Sequence, residues 1–456
     1  MVAELQVAVA RLTEALAVRD ARIVERDARI VELERLLEES RRSGKRQAAP
    51  FRKGDPVAEP KTAGRKKGKL HGRHGHRLAP PDPDRTVDAV LPGCCPGCGG
   101  DVVLERVAAQ FQTDLPLLPP PATTRFLVQI GRCRSCGKRV QGRHREQTSD
   151  ALGAAGAQIG PNAKAWAAWM HYSLGIPVAK IARFFDHRLG LNVTAGALCQ
   201  AAQTTSTALV PVTAEIRDRV NDAPMVVMDE TGWRVNARSS WVWIATTAEA
   251  TIYTVAPGRS FDDAIVLVDG DYAGVVVHDG WIVYDQYVHA THQTCLAHLC
   301  RRSDELVESL PAWARATPRY VRQLLGEALA ARDGTEPERL AAIADLSERV
   351  ELLAARAHPH DENRKLVQHL HRNRGALFTF LTDPAIDATS WRAEQGIRPT
   401  TVTRKVCGGN RSDRGALTQG RMMTLFRTAS QQGINAVDYL VNLARAPDPT
   451  AITFFT

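Results

Sequence analysis

Two acidic motifs directly follow apolar runs that are typical of buried strands. In PMVVMDETGW, residues 224–233, Asp229 and Glu230 follow four apolar residues directly, and in AGVVVHDG the residue Asp279 ends another apolar run. Carboxylates that are packed together repel each other, so each resists ionisation until a cation relieves the repulsion. Oxygen ligands at an open site favour Mg²⁺ or Mn²⁺, and two such ions can cleave and join phosphodiesters. The motifs therefore predict metal-assisted chemistry on DNA.

Three other acidic residues have to be weighed against Asp229 and Asp279. In an extended strand Glu230 points to the face opposite Asp229, so we expect it at the surface or behind the site. Asp285, in WIVYDQY, could replace Asp279, but HDG ends the apolar run directly and fits better. Glu394, in SWRAEQGIR, lies on a predicted helix and could supply a third carboxylate, although spacing alone does not select it.

Two of the nine cysteines form the pair Cys95 and Cys98 in CCPGCGG, and two more form the pair Cys133 and Cys136 in GRCRSCGK. A two-residue gap followed by glycine lets both thiolates of a pair face one ion. The stretches between the pairs, DVVLERVAAQFQTDL and TTRFLVQIGR, look like strands. Four thiolates in a closed tetrahedral set bind structural zinc, so residues 87–146 predict a zinc ribbon. A redox-active CxxC motif or a chance pairing are the alternatives.

The first 86 residues divide into a helical and a basic segment. Residues 1–42 lack glycine and proline and repeat apolar residues at alternating steps of three and four. This pattern predicts a coiled coil, and hence a dimer, or else a single amphipathic helix packed on its own domain. Residues 43–86 are rich in Gly, Pro, Lys, Arg and His, which predicts a solvated linker or an arm that tracks DNA phosphates. The candidate phosphate contacts of this arm are Arg65, Lys66, Lys67, Lys69 and Arg73.

A helical region precedes the acidic motifs. Residues 150–215 are predicted to be helical, with Pro177 beginning one helix and Thr194 capping the next. Helix, short glycine-containing turn and helix is the helix-turn-helix arrangement of DNA-binding proteins. A plain helical hairpin is the alternative, because spacing alone does not separate the two.

The rest of the chain must position the acids. Three antiparallel strands, a helix at FDDAIVLVDG and a fourth strand predict the start of an RNase H-like α/β core. In such a sheet the first and fourth strands are neighbours, so Asp229 and Asp279, each at a strand end, would meet at one edge. The predicted architecture is thus a multidomain α+β protein. Its segments here are the first part of the core at 220–302, a helical insertion at 303–385, the second part of the core at 386–445 and a tail at 446–456.

The motif HQTCLAHLCRR could hold a second metal. His292, Cys295 and His298 recur at three-residue steps, so a helix would place them on one face. Cysteine and histidine on a helix more often pack or contact DNA, and no fourth ligand is evident. Arg301 and Arg302, which follow them, suit contacts to a DNA backbone.

Composition narrows the function classes. The 456 residues are 44% hydrophobic with a net charge of +9, which is enough chain for two or three domains. No apolar run reaches the roughly 20 residues of a membrane span, and the amphipathic start is no signal peptide. We therefore expect a soluble cytoplasmic protein without a membrane partner. The positive charge favours a polyanionic partner only weakly.

Several motifs, in this order, resemble one family. They are the zipper-like start, the GRKKGK arm, both cysteine pairs, HYSLGIPVAKIARFF, MDETGWRV, VVHDGWIVYD, HQTCLAHLCRR and AEQGIRPTTVTRK. With these motifs the chain resembles the large transposase of insertion sequence 66-type elements, a group of bacterial DDE transposases.

The resemblance implies roles for individual residues. Asp229 in MDETGW, Asp279 in HDGW and Glu394 in AEQGIR match the family's three catalytic acids, which bind two Mg²⁺ or Mn²⁺ ions. The basic residues after the third acid would contact phosphates near the cut, and these are Arg398, Arg404 and Lys405. The resemblance also implies that the partners are the terminal repeats of the element, its target DNA and accessory proteins encoded by the same element. A bacterial protein that joins the nucleoid during transposition is expected.

Two functions fit the sequence. One is a transposase that nicks DNA at insertion-sequence ends and joins the 3′-hydroxyls to target DNA, acting as a homodimer or larger assembly. The other is a non-catalytic zinc-containing DNA-binding protein, or a decayed transposase that still binds terminal repeats. The three acids in an RNase H-like context favour the enzyme, because a regulator has no need of them.

Overall fold

The structure is a computed structural model that describes residues 82–112, 120–156, 158–446 and 453–455. The chain divides into two compact units, residues 1–117 and residues 118–456.

The predicted coiled coil at residues 1–42 and nearly all of the basic arm lie outside the described residues. Both remain predictions, as do the arm's phosphate contacts at Arg65, Lys66, Lys67, Lys69 and Arg73.

The described part of the predicted zinc ribbon contains a small hairpin around the second cysteine pair. Residues 101–112, the described part of the predicted strand DVVLERVAAQFQTDL, are exposed and have no strand conformation. This prediction is wrong, because alternating apolar residues make a strand only where another strand pairs with them. The hairpin joins β1 (Ile130–Arg132) to β2 (Arg139–Gln141) in antiparallel pairing. Only the last three residues of TTRFLVQIGR are therefore in a strand.

Among the described residues, four α-helices precede the main sheet. Pro177 directly precedes the second helix, and Thr194 caps the third by accepting a 3.1 Å hydrogen bond from the Ala197 N–H. The predicted starts of these two helices are confirmed. The first helix continues as a π-helical turn over Trp169–Ser173. The helices are α1 (Pro161–Ala168), α2 (Val178–Leu189), α3 (Ala195–Ala208) and α4 (Val210–Asn221).

A mixed five-stranded sheet forms the centre of the second unit. Its strands are β3 (Met225–Val235), β4 (Arg238–Thr246), β5 (Thr251–Ala256), β6 (Val275–His278) and β7 (Thr291–Thr294). Their order is β5-β4-β3-β6-β7. The strands β3, β4 and β5 are antiparallel neighbours, whereas β6 runs parallel to both β3 and β7. The four predicted strands are confirmed, and β7 is an additional one.

Helices connect and cover the sheet. The predicted helix FDDAIVLVDG shortens to α5 (Phe261–Ala264), which a capping box of Ser260 and Asp263 begins. After β7, four helices pack around a core of their own. They are α6 (Leu296–Ser309), α7 (Ala316–Ala331), α8 (Glu336–Ala354) and α9 (Asp361–Arg372). The last three described helices are α10 (Trp391–Cys407), α11 (Asp413–Gln432) and α12 (Ala436–Arg445).

Successive residues of β3 face opposite sides of the sheet, and helices cover both sides. Val226 and Met228 belong to one core, together with residues of α4 and α11. Val227 belongs to another core, which includes Ala393 of α10. Because side chains alternate along a strand, Asp229 lies on the same side of the sheet as Val227 and α10.

Candidate active site

Asp229 and Asp279 lie level with each other on two parallel strands. The pairing of β3 with β6 runs from Met225 opposite Val275 to Val227 opposite Val277. The same register, continued by two residues, brings Asp229 opposite Asp279, which follows β6 directly. Asp229 is the fifth of the 11 residues of β3, so the prediction that it ends the strand is wrong. It lies where the parallel pairing ends, while β3 continues along β4 as far as Val235.

The turn after β6 fixes the carboxylate of Asp279. Its Oδ1 accepts a 2.8 Å hydrogen bond from the Trp281 N–H. Gly280 between them has φ +85°, and a Cβ there would lie 2.8 Å from the His369 ring. The guanidinium of Arg372 donates to the Gly280 carbonyl. His369 and Arg372 of α9 thus pack against the turn, and the position of Gly280 admits only glycine.

The carboxyl group of Asp229 is in an environment that disfavours its charge. Burial first, and then the negative charges of Glu230 and Asp279, raise its pKa to about 7. The positive charge of His298 and a 2.8 Å hydrogen bond from the Glu230 N–H oppose this rise. A nearby cation would therefore favour the ionised form of Asp229.

Glu230 lies on the opposite face of β3, as predicted, but it is not a surface residue. Its side chain is 2% exposed, forms an ion pair with Arg259 and accepts a 2.6 Å hydrogen bond from the Tyr284 hydroxyl. The Arg259 guanidinium lies over the rings of Trp241 at 4.4 Å and Trp281 at 3.9 Å. A guanidinium between two indoles holds its charge in place, so a carboxylate can be buried behind the acid pair.

Helix α10 places Glu394 on the same side of the sheet as the two aspartates. Its neighbours Ala393 and Ile397 are buried in one core with Val227 and Val277. These two valines lie two residues before Asp229 and Asp279 respectively, on the same faces of their strands. The helix that carries Glu394 therefore packs directly beside the acid pair.

A glycine allows this close approach of helix and sheet. A Cβ on Gly396 would lie 2.3 Å from the Ile244 side chain and 3.0 Å from the Tyr253 hydroxyl. That hydroxyl also donates a 2.9 Å hydrogen bond to the Gly396 carbonyl. Sequence reasoning overlooked Gly396, since glycine inside a helix usually signals only weak helix formation.

Glu394 binds two basic side chains of α6. Arg301 donates a 2.8 Å hydrogen bond to Glu394 Oε1, and His298 Nε2 lies 3.8 Å from the same oxygen. A hydrogen bond with Cys295 first, and then the charges of Cys295, Asp229 and Asp279, raise the pKa of His298 to about 9 despite its burial. A protonated His298 therefore places a positive charge near the acids at neutral pH.

The predicted helical face of His292, Cys295 and His298 is wrong. His292 lies in β7, because that segment pairs with β6, and α6 begins only at Leu296. His292 Nδ1 lies 3.1 Å from His278 Nε2, and its Nε2 lies 3.0 Å from the Tyr287 carbonyl. His292 is thus engaged with another partner, and the three side chains do not act as one ligand set.

Cys295 and His298 instead form a small polar group with Ser390, which directly precedes α10. The Ser390 N–H and hydroxyl lie 3.1 and 3.2 Å from Cys295 Sγ, and its Oγ lies 3.4 Å from His298 Nδ1. Burial acts to raise the pKa of Cys295, but these hydrogen bonds and the His298 charge lower it overall. The group connects the start of α6 to the start of α10.

The chain matches the family model described as "Transposase IS66 family" over residues 156–418, more than half of its length. The chain belongs to the IS66 transposase family. The match contains Asp229, Asp279, Glu394 and the two residues of α6 that contact Glu394. The uncharacterized protein y4qI of Sinorhizobium fredii is 24% identical over 315 residues. That alignment covers 60% of this chain and 57% of the relative's own length.

The basic residues of the family resemblance lie in different surroundings. Arg398 and Lys405 are exposed on α10, whereas Arg404 donates to the Gly232 carbonyl of β3. Arg302 is half-buried and acts electrostatically on Glu362 and His369 of α9. Of the three basic residues that the family resemblance gives, Arg398 and Lys405 are therefore the accessible ones; Arg302 is predicted from the HLCRR motif instead.

The two cysteine pairs precede the family match and share one backbone conformation. The N–H of Cys95 and that of Cys133 each donate to the carbonyl five residues later, at 2.8 and 2.9 Å. The N–H groups of Gly99 and Gly137 donate back to the carbonyls of those cysteines, at 2.8 and 2.9 Å. Both glycines have positive φ, +75° and +68°, so each turn needs its glycine.

This turn also favours the thiolate form of the first cysteine in each pair. Backbone hydrogen bonds from Gly97 and Cys98 lower the pKa of Cys95. Backbone hydrogen bonds from Cys136 and Ser135 lower the pKa of Cys133 in the same way. Thiolates are the form that binds metal.

Across the described residues, no three Cys, His, Asp or Glu side chains are gathered around a common point where an ion could bind. No helix in the described part of the chain is long and apolar enough to span a membrane.

Proposed function

We propose that this member of the IS66 transposase family is a DDE transposase. It cleaves DNA strands at insertion-sequence ends and transfers the resulting 3′-hydroxyls to target DNA. The observation that carries the proposal is the register of β3 and β6, which brings Asp229 level with Asp279 on the side of the sheet that α10 covers with Glu394. The strand order and directions support an RNase H-like core.

Asp229, Asp279 and Glu394 would hold Mg²⁺ or Mn²⁺. Their chemistry fits, because all three offer hard oxygen ligands. Burial first, and then the neighbouring carboxylates, raise the pKa of Asp229, so a cation would favour its ionised form. When bound, two such ions activate a water or a 3′-hydroxyl and stabilise the leaving oxygen of a phosphodiester. Within the described chain Glu394 is paired with Arg301 instead, so a change of its side-chain position belongs to the proposal.

Two backbone N–H groups and one side chain act on the aspartates of the site. The Trp281 N–H orients Asp279, and the Glu230 N–H orients Asp229. His298 partly compensates the negative charge of the aspartates before a cation binds. These groups position the carboxylates from three elements, which is the preorganisation that phosphoryl transfer needs.

The remaining proposed parts bind DNA or assemble the protein. The helix pair α2 and α3 has the order of a helix-turn-helix, and Arg398 and Lys405 are exposed beside the site for contacts to phosphates. The two cysteine pairs would supply the four thiolates of a structural zinc. The coiled coil would make the protein a dimer on two element ends, with help from accessory proteins.

The test is cleavage of a labelled duplex that carries an element end, in Mg²⁺ or Mn²⁺. We expect Asp229→Asn to abolish cleavage while the affinity for DNA stays within about twofold, because the charge of the acid is lost but the fold is kept. Asp285→Asn is the matched control: Asp285 is the alternative acid, is exposed on a 3-10 turn, and should be dispensable.

Cleavage by Asp229→Asn at the wild-type rate would refute the assignment. The accessory proteins of the element are present in a second assay. If the wild type then binds the duplex but does not cleave it, the result favours the non-catalytic DNA-binding protein.

A further inference from the structure

The third acid is neutralised by a residue that no catalytic role explains. Arg301 Nη2 donates to Glu394 Oε1 at 2.8 Å, and this contact joins residues 93 positions apart in sequence. It comes from the first helix after β7, whereas Glu394 belongs to α10. In this position the Glu394 carboxylate is already an ion-pair partner, and its charge is not offered to a cation at Asp229 and Asp279.

The pair is accessible and therefore exchangeable. The side chain of Arg301 is 55% exposed and that of Glu394 is 28% exposed. Ion pairs in such a setting are weak, because solvent competes with them and two long side chains must be held still. A guanidinium binds a phosphate through two parallel hydrogen bonds, so a DNA backbone is a strong competitor for Arg301.

Arg302, the next residue in the chain, differs from Arg301 in its exposure and its partners. Arg302 is half-buried and acts on Glu362 and His369 rather than on the acids. Of the two consecutive arginines in HLCRR, only Arg301 both contacts Glu394 and reaches solvent. A purely structural ion pair would need no such exposure.

We propose that Arg301 is a positioning residue that couples DNA binding to assembly of the metal site. Without DNA it holds Glu394 by the observed ion pair. With DNA it moves to a backbone phosphate, and Glu394 is released to join Asp229 and Asp279 around the cation. This inference rests on the proposed transposase function. It makes the full ligand set of the metal depend on bound DNA.

The experiment measures Mn²⁺ affinity of the full chain by electron paramagnetic resonance, without DNA. We expect Arg301→Gln to bind Mn²⁺ about two- to fivefold more tightly than wild type, the range expected for release of an exposed ion pair. Arg322→Gln is the matched control. It also removes one arginine charge and breaks an exposed ion pair, which joins Arg322 of α7 to Asp304 of α6 at 3.3 Å, but it leaves Glu394 untouched.

Two further variants separate the outcomes. In a Glu394→Gln background the gain from Arg301→Gln should vanish, because the pair that it breaks is already absent. A short DNA duplex should raise the Mn²⁺ affinity of the wild type more than that of Arg301→Gln. The duplex itself binds Mn²⁺, so the Mn²⁺ bound in a mixture of the duplex with Asp229→Asn is subtracted first. Equal affinities for Arg301→Gln and Arg322→Gln would overturn the role of Arg301. Wild-type Mn²⁺ binding by Asp229→Asn would instead overturn the proposed function itself.

Discussion

Burial of Asp229 beside two other carboxylates connects the stability of the metal-free protein to pH. The pKa of Asp229 is about 7 in the folded chain, against about 4 in an unfolded one. The folded state therefore binds more protons between these values, and the free energy of unfolding falls as the pH rises through this window. The charge of Asp229 costs stability at neutral pH, and a bound cation would offset the cost.

Asp229→Asn should remove this dependence. Between pH 5 and pH 7, in a metal chelator, we expect the variant to gain about 2 kcal/mol of unfolding free energy relative to wild type. Urea unfolding followed by tryptophan fluorescence at the two pH values measures the difference. Asp285→Asn, which alters an exposed acid, should show no such gain. A constant difference between Asp229→Asn and wild type across the window would contradict the argument.

The surroundings of the acids were predictable from sequence only in part. Apolar runs before Asp229 and Asp279 predict strands, and the expected RNase H-like order makes these strands neighbours. The register of β3 with β6 confirms that they are neighbours. The burial of Glu230 was not predictable, because it depends on Arg259 from 29 residues away and on Tyr284 from 54 residues away. The alternation of residues along a strand predicts the face on which a side chain lies. Contacts with residues distant in sequence decide whether that face is buried.

At the scale of elements, the position of Glu394 depends on how closely α10 approaches the sheet. Gly396 permits this approach, since a Cβ there would overlap the Ile244 side chain. A methyl group forced into a packed contact shifts the helix or the strand by part of its own size. The carboxylate two residues earlier in the helix would shift with it.

Gly396→Ala should therefore lower both stability and cleavage. We expect a loss of about 1–3 kcal/mol in the free energy of unfolding, although alanine is the better helix former. Gly326→Ala, in α7, is the control: its Cβ would have no atom nearer than 3.7 Å, so stability should rise by about 0.5–1 kcal/mol. Equal effects of the two substitutions would show that helix propensity alone acts at Gly396.

The elements themselves show where sequence patterns suffice and where they fail. The strands β3, β4 and β5 are long and apolar, so their pattern was sufficient to predict them. Strand β7 has only four residues, THQT, with no apolar side chain, and it forms because β6 offers a free edge. The prediction that His292, Cys295 and His298 share one helical face fails because His292 lies in this strand and only the other two follow it.

On the scale of the whole molecule, the family match and the cysteine pairs occupy different parts of the chain. The match covers residues 156–418, while the pairs lie at 95–98 and 133–136. The pairs have the same turn, with glycines at positive φ and backbone N–H groups that lower the pKa of the first thiol. Both turns thus favour the thiolate form that the proposed structural zinc requires.

Cys133→Ser tests whether zinc binds there and what it does. Zinc measured by a colorimetric chelator should fall from about one ion per chain to none, because three thiolates hold the ion far less tightly than four. DNA binding should weaken, whereas Mn²⁺ binding at the acids should stay unchanged. Cys94→Ser is the control, since Cys94 adjoins Cys95 but belongs to neither pair, and its zinc content should equal that of wild type. An unchanged zinc content in Cys133→Ser would exclude the four-thiolate site, and the cysteine pairs would then have to act separately.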